Sequence, residues 1–249
     1  GHPVDINCFE SWSNALAQNG LSQFYTSGMF ADYPPGYMYV LWLIGKFCNL
    51  LGISLFSVMG SVLVRLPAIL ADLAVALLLY RRAEKRLGQT CAYGLALLMA
   101  VNPVAILNSA VWGQVDSILA LMLVGVFLLL EDEHPVWAAA LYGAAVLVKP
   151  QALMAGPVFA IWYLKPFFQK GERLRGFNRL MLGLYAALGV IIIGALPFQG
   201  TQGPLWLVER YASTATSYPY GSVNGFNLLA LLGGNWTGQE QLVFGLVSY

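Results

Sequence analysis

Charged side chains are scarce in this sequence. Asp, Glu, Lys and Arg together make up 10% of its 249 residues, whereas soluble globular domains carry about 25%. That is too little charge to cover a soluble surface. It excludes a soluble enzyme, a disordered tail and a nucleic-acid binder as readings of the whole chain. Neither sign dominates: 13 Lys and Arg stand against 12 Asp and Glu, a net charge of +1, so no polyanionic partner is implied. Cysteine is equally sparse. Cys8, Cys48 and Cys91 lie far apart, with no CxxC pair and no His beside them. That spacing excludes a disulfide framework or a zinc motif, and all three read as packing residues. Histidine is limited to His2 and His134, and no HExxH, P-loop or GxGxxG run is present, which argues against zinc hydrolysis and nucleotide chemistry.

What is abundant is apolar: 58% of the residues are hydrophobic and the mean hydropathy is +0.65. A spanning helix needs about 20 mostly apolar residues. Runs that reach or approach this length cover about residues 60–80, 91–107, 117–130, 136–148, 152–164 and 180–196. The fold class is therefore all-α, a polytopic transmembrane helix bundle with external juxtamembrane helices. One transmembrane domain fills the chain. Residues 1–57 form a first external loop with interfacial helices, residues 58–196 about six transmembrane helices, and residues 197–249 a second external loop. The apolar stretch 36–51, with Tyr37, Tyr39 and Trp42, suits a helix lying in the outer interface. Residues 241–249 read as the start of a further span.

Lys and Arg set the direction. Arg81, Arg82, Lys85 and Arg86 form one cluster; Lys165, Lys170, Arg173, Arg175 and Arg179 form another. Both are expected in the cytoplasm, and the four candidate spans between them return the chain to the same side. The acidic loop 131–134 then falls inside, which acidic residues tolerate because they barely steer topology. The external face receives residues 1–57, the turns 108–116 and 148–151, and everything after Pro197.

Chemistry is sought on that face. Asp5 opens a short amphipathic helix ending near Gly20, either as its N-cap or as a carboxylate base at the membrane surface. Asp32 and Tyr33 precede Pro34 and Pro35, whose fixed backbone makes a rigid elbow. Arg65 and Asp72, seven residues apart, share one face of a spanning helix, where ionisable groups are paired or functional. Asn102-Pro103 breaks the next helix. The turn that follows offers Trp112, Gln114 and Asp116, and the next one Lys149 and Gln151. Later in the chain Glu209, Arg210, Tyr218, Tyr220 and Asn224 add the aromatic and amide groups that suit sugar rings.

In order and spacing these pieces resemble the GT-C superfamily of integral membrane glycosyltransferases: an external Asp, Asp-Tyr-Pro-Pro, an intramembrane Arg and Asp, Trp-Gly-Gln-Val-Asp, and Lys-Pro-Gln. The branch they look most like is the bacterial and archaeal relatives of the enzymes that add glucose to dolichol-linked oligosaccharide. Protein O-mannosyltransferases are more distant. The resemblance implies an inverting transfer of a sugar from a polyprenyl-phosphate donor to a glycan, lipid or protein acceptor outside the cytoplasm, within the lipid bilayer and without nucleic acid. It implies Asp5 as catalytic base with Asp32 as rival, and a second acidic position at Asp116. Lys149, Arg65 and Arg210 are its candidates for the phosphate. No cofactor is required, and a divalent metal is not favoured. The family has a span before the first external loop and more after the second, so this chain is expected to be an internal piece of a longer protein. The competing reading is a flippase or transporter of lipid-linked sugars, which would favour inverted repeats and broken midplane helices; no repeat is visible in the sequence.

Overall fold

Two short helices come first in the computed structural model, which describes residues 3–217, 220, 222–223, 228–238, 242–243 and 246–247. Helix α1 (Pro3–Asn19) carries Asp5 in its first turn, where a carboxylate complements the helix dipole, and the chain leaves it at Gly20 with φ of 78°. Helix α2 (Pro35–Leu51) follows the proline elbow: Pro34 is extended, Pro35 takes the first helical position, and Gly52 closes the helix in the left-handed region. The two helices run parallel, because Phe9 meets Tyr37, the Ser13 hydroxyl donates to the Leu41 carbonyl at 2.7 Å, and Lys46 Nζ donates to the Ala17 carbonyl at 2.9 Å. Contact this close needs glycine. A Cβ on Gly45 would lie 2.4 Å from the Ser13 carbonyl oxygen, and one on Gly36 would lie 2.6 Å from the Leu147 carbonyl carbon.

Ser57 caps the next element, accepting from the Gly60 amide at 3.1 Å. Helix α3 (Val58–Leu87) then runs for 30 residues, about 45 Å at 1.5 Å per residue. Its basic cluster is not a loop, because the helix continues through Arg86 past the apolar stretch. Gly88 alone connects it to α4 (Gln89–Ala100). Asn102 and Pro103 interrupt α4, but the Asn102 side chain accepts from the Val104 amide at 2.9 Å and restarts the helix as α5 (Pro103–Ile106). A π-helical turn, Leu107–Trp112, continues it. The turn expected at 108–116 therefore shrinks to residues 113–115, because the residue that breaks the helix also supplies the cap for its resumption.

Helices α6 (Asp116–Glu131) and α7 (Pro135–Val148) form an antiparallel hairpin. A 3₁₀ segment, Pro150–Ala155, leads into α8 (Gly156–Leu164). A second one, Lys165–Phe168, leads toward α9 (Arg173–Ala195). Helix α3 packs along α4 and α6, and α7 along α6 and α9. Val126, Leu130, Ala138 and Phe159 form a buried cluster between α6, α7 and α8.

Among the described residues, three helices are long and apolar enough to cross a membrane: Val58–Leu87, Gln89–Trp112 and Arg173–Phe198. An all-α membrane bundle is thus what the chain builds. The 16 residues of α6 and 14 of α7 give lengths of only about 24 and 21 Å.

The acidic loop finds its partners at the basic end. Arg82 pairs with Asp132 and, at 3.6 Å, with Glu131; Arg86 pairs with Glu131; Arg179 reaches Glu133 at 2.9 Å. Each exposed pair contributes at most about 1 kcal/mol, but together they tie α3, the α6–α7 turn and α9 at one end of the bundle.

Residues Gly1–Gly203 form one compact unit and Pro204–Tyr249 a second. The second contains α10 (Trp206–Thr216) and α11 (Leu228–Leu231), with bridges pairing Tyr220 with Gly238 and Ser222 with Asn235. Leu242–Val243 and Leu246–Val247 pair as a short antiparallel ladder, where hydropathy alone points to the start of a helix. Short apolar pairs such as these suit a strand as well as a helical turn.

The glycine contacts make a testable contrast. Gly45→Ala forces α1 and α2 apart against backbone atoms and is expected to destabilise the protein by about 1–3 kcal/mol. Gly94→Ala, in α4 with nothing within 4 Å of its added Cβ, should instead stabilise by about 0.5–1 kcal/mol. Thermal unfolding in detergent checks the opposite signs.

Candidate active site

Asp5 sits in the first turn of α1, inside the helix and not at its cap. Its Oδ2 accepts two hydrogen bonds, from the Trp112 indole Nε1 and from Gln114 Nε2, the latter at 2.9 Å. Both donors flank Gly113, whose φ of 85° favours glycine. Ile6 explains why side chains must be absent there, since a Cβ on Gly113 would lie 2.2 Å from Ile6 Cδ1. Helix α1 thus rests its second residue pair, Asp5 and Ile6, directly on the end of the π-helical turn.

The proline elbow supplies the opposite wall. The Tyr25 hydroxyl donates to the Tyr33 carbonyl at 2.8 Å, and Pro34 and Pro35 are fully buried, so Tyr33 has little freedom. Its ring stands edge-on to Phe9 at 5.6 Å, and against Trp12 at 5.7 Å. Its hydroxyl donates to Gln114 Oε1 at 3.3 Å. The Gln114 amide is therefore oriented from both ends, accepting from Tyr33 and donating to Asp5.

Lys149 completes the group. The chain turns from helical to extended at this residue (φ −155°, ψ 132°), between α7 and the following 3₁₀ segment. Its ammonium pairs with Asp116 at the start of α6 and lies 5.6 Å from the centre of the Tyr33 ring, a cation–π distance. Asn108 Nδ2 donates to the other Asp116 oxygen at 3.4 Å. The pair is lopsided: the Lys149 side chain is 10% exposed and that of Asp116 49%.

Electrostatics agree with these contacts. Burial pushes the Tyr33 hydroxyl well above the usual tyrosine range, and the negative charges of Asp116, Asp32 and Asp5 add to the effect. The Cys8 thiol is raised by burial and then by Asp32 and Asp5, so it stays a neutral thiol beside the site. Asp5, Asp32, Tyr33, Trp112, Gln114, Asp116 and Lys149 are thereby brought together from α1, the elbow, the π-helical turn and the ends of α6 and α7.

The other predicted residues belong to other elements. Arg65 borders Gly113 on α3, and its Nε is buried without a hydrogen-bond partner. It faces Glu10 of α1, whose carboxyl is raised by burial and held back by Ser61 and by Arg65 itself. No ion pair joins Arg65 to Asp72 among the described residues. Gln151 is exposed on the 3₁₀ segment. Glu209 and Arg210 belong to α10 of the second unit, and Tyr220 stacks edge-on to Trp236 there at 5.3 Å. Tyr218 and Asn224 lie outside the described residues.

Glu10 is the participant that sequence reading missed. A lone Glu on a polar-looking helix gives no signal of burial; its 6% exposure follows from α3 packing against that face. Phe9 and Trp12 did carry a signal, since they share the spacing of Asp5 along one stripe of α1.

The uneven burial of the ion pair has a measurable consequence. Asp116→Asn strands a buried ammonium and is expected to destabilise by about 2–3 kcal/mol, near the low end for a broken buried pair because half of Asp116 meets solvent. Lys149→Met leaves only a half-exposed carboxylate and should be milder. Equal losses in thermal stability would contradict that asymmetry.

A model of glycosyltransferase family 87 matches residues 30–246. Among curated proteins, the one named "Putative mannosyltransferase YycA" from Bacillus subtilis (strain 168) is 28% identical over 219 residues, covering 85% of this chain. The chain spans 28% of the length of that relative. No solved structure matches the chain. With the family match running from the elbow through the π-helical turn and Lys149 into the second unit, the chain belongs to glycosyltransferase family 87.

Proposed function

We propose that this chain carries the catalytic site of a GT-C-type membrane glycosyltransferase that moves a hexose, mannose by analogy with the relative's name, from a polyprenyl-phosphate donor to a hydroxyl acceptor. The observation that carries this reading is the pairing of two unlike carboxylates around Tyr33. Asp5 is aimed by neutral N–H donors, while Asp116 holds a buried cation in place. In the reaction Asp5 takes the proton from the acceptor hydroxyl, whose oxygen attacks the sugar C1. The C1–O bond to phosphate breaks, and the polyprenyl phosphate departs with the electron pair, its growing charge met by Lys149. A single displacement inverts the anomeric centre. With one phosphate to neutralise and an ammonium in place, the step needs no metal.

The bundle's dimensions support a lipid-borne donor. If the basic end of α6 marks the cytoplasmic interface, Asp116 lies about 22 Å away, 15 residues up the helix. The hydrocarbon core is about 30 Å thick. The site then sits about 8 Å below the far headgroups, at a depth a polyprenyl phosphate reaches from within the bilayer and a soluble nucleotide sugar does not. In this orientation the acceptor enters from outside.

Asp5→Asn is expected to lower sugar transfer by about two to four orders of magnitude in the bilayer-reconstituted protein, with donor binding nearly unchanged. A capping role predicts little change, since Asn caps as well as Asp. Loss in Asp32→Asn with retention in Asp5→Asn would move the base to the elbow. Full activity in both would remove the mechanism and favour the transporter reading.

Topology is tested separately. A single cysteine placed at Gln169, in the loop before α9, should resist an impermeant maleimide in intact cells and react after lysis. Ready labelling of intact cells would invert the membrane orientation.

A further inference from the structure

At the opposite end of α6 from Asp116 lies a cavity of about 880 Å³ between the last turns of α6 and the α8–3₁₀ segment. Its walls are apolar: Phe127, Val158, Phe159, Ile161 and Phe168 among them. All of these but Phe159 are exposed on the bundle's flank, so the cavity is an open groove and not a sealed void. Polar groups occur at one end only, where Lys165, Gln169 and Glu131 meet the walls.

The charges at that end divide into two sets. Arg82, Arg86, Arg175 and Arg179 are each paired with Asp or Glu, and Glu131 is consumed by Arg82 and Arg86. Lys165 at the groove has no acidic side chain within ion-pair distance among the described residues, nor do Arg81 and Lys85 on α3, Lys170 in the short connection that follows, or Arg173 at the start of α9. An apolar slot that ends at an unpaired lysine, with its one carboxylate already held by two arginines, has the shape and polarity of an anionic amphiphile. In a bundle read as spanning a membrane, such a ligand is continuously supplied by the leaflet.

We propose that this groove is a binding site for an anionic glycerophospholipid of the leaflet at the basic end, with one acyl chain against Phe127, Phe159 and Ile161 and the phosphate at Lys165. The site is separate from the proposed transfer chemistry: it uses other residues, other polar groups and the other end of α6. Occupancy fixes α8 to α6. Each lysine near a membrane surface contributes about fivefold to anionic-lipid affinity.

Trp162 lines the same groove and reports on it. In the purified protein reconstituted into phosphatidylcholine nanodiscs, dibrominated phosphatidylglycerol added at low mole fraction is expected to quench tryptophan fluorescence saturably. Dibrominated phosphatidylcholine at the same fraction should not. Trp162→Phe should remove the saturable part, and Lys165→Gln should shift its midpoint about fivefold. Val158→Phe, which narrows the groove from an exposed position, should weaken it as well. Equal quenching by the two lipids overturns the proposal, and so does a phosphatidylglycerol effect that survives both Trp162→Phe and Lys165→Gln. Sugar transfer is not the readout, so failure here leaves the catalytic reading untouched, and failure of that reading leaves the groove standing.

Discussion

Helix α1 docks on the bundle at the point where Gly113 presents no side chain. Ile6 occupies the space a Cβ would need, and the same glycine turns the chain with a positive φ between Trp112 and Gln114. One residue therefore does three things: it ends the π-helical turn, lets α1 dock, and points two N–H donors at the carboxylate that α1 brings with it. A side chain at Gly113 would strain its left-handed backbone and press on Ile6 Cδ1, disturbing the turn that aims Trp112 and Gln114 at Asp5. The geometry of the site is thus set by backbone proximity before any charge interaction comes into play.

Charge is distributed with matching economy. At one end of the bundle, exposed Arg–Asp and Arg–Glu pairs lace α3, the α6–α7 turn and α9 together. Each is weak in solvent, and they bind helices to one another. At the other end the Lys149–Asp116 pair has its ammonium buried. A buried cation is tolerated only with a partner and hydrogen bonds. Asp116, the Asn108 amide and the face of the Tyr33 ring supply that environment. The two ends differ because one holds structure against water and the other keeps a charge ready inside an apolar protein.

Much of this was legible in the residues themselves. The stripe Asp5, Phe9, Trp12 and Leu16 repeats at helical spacing, and the last three are almost fully buried; a carboxylate on an otherwise apolar stripe is legible as an unusual residue. The elbow is equally plain, since two prolines leave few backbone choices. Asn102-Pro103 marks a break, but the sequence does not reveal that the Asn also restarts the helix, so the following turn reads as longer than it is. The acidic residues 131–133 look misplaced inside a basic end until their partners 45–50 positions away are seen. Long-range pairing of that kind leaves no periodic trace. Glu10 is hidden for the same reason: its burial is decided by α3, not by its neighbours in sequence.

The contrast between Asp5 and Asp116 also explains why both are needed under the proposed chemistry. A base must release its hydrogen-bond partners' hold as it accepts a proton, and neutral donors such as an indole N–H and an amide permit this at modest cost. A carboxylate locked to an ammonium would lose a full ion pair on protonation, at a much greater cost in an apolar setting. Asp116 is therefore suited to hold Lys149 until a phosphate arrives. Under the proposed chemistry an incoming anion then competes for the same ammonium. Tyr33 touches both halves of the site: its ring lies near Lys149 and its hydroxyl orients the amide that aims Asp5. The ammonium proposed to meet the donor phosphate and the carboxylate proposed to take the acceptor's proton are thus joined through one aromatic residue held by the proline elbow.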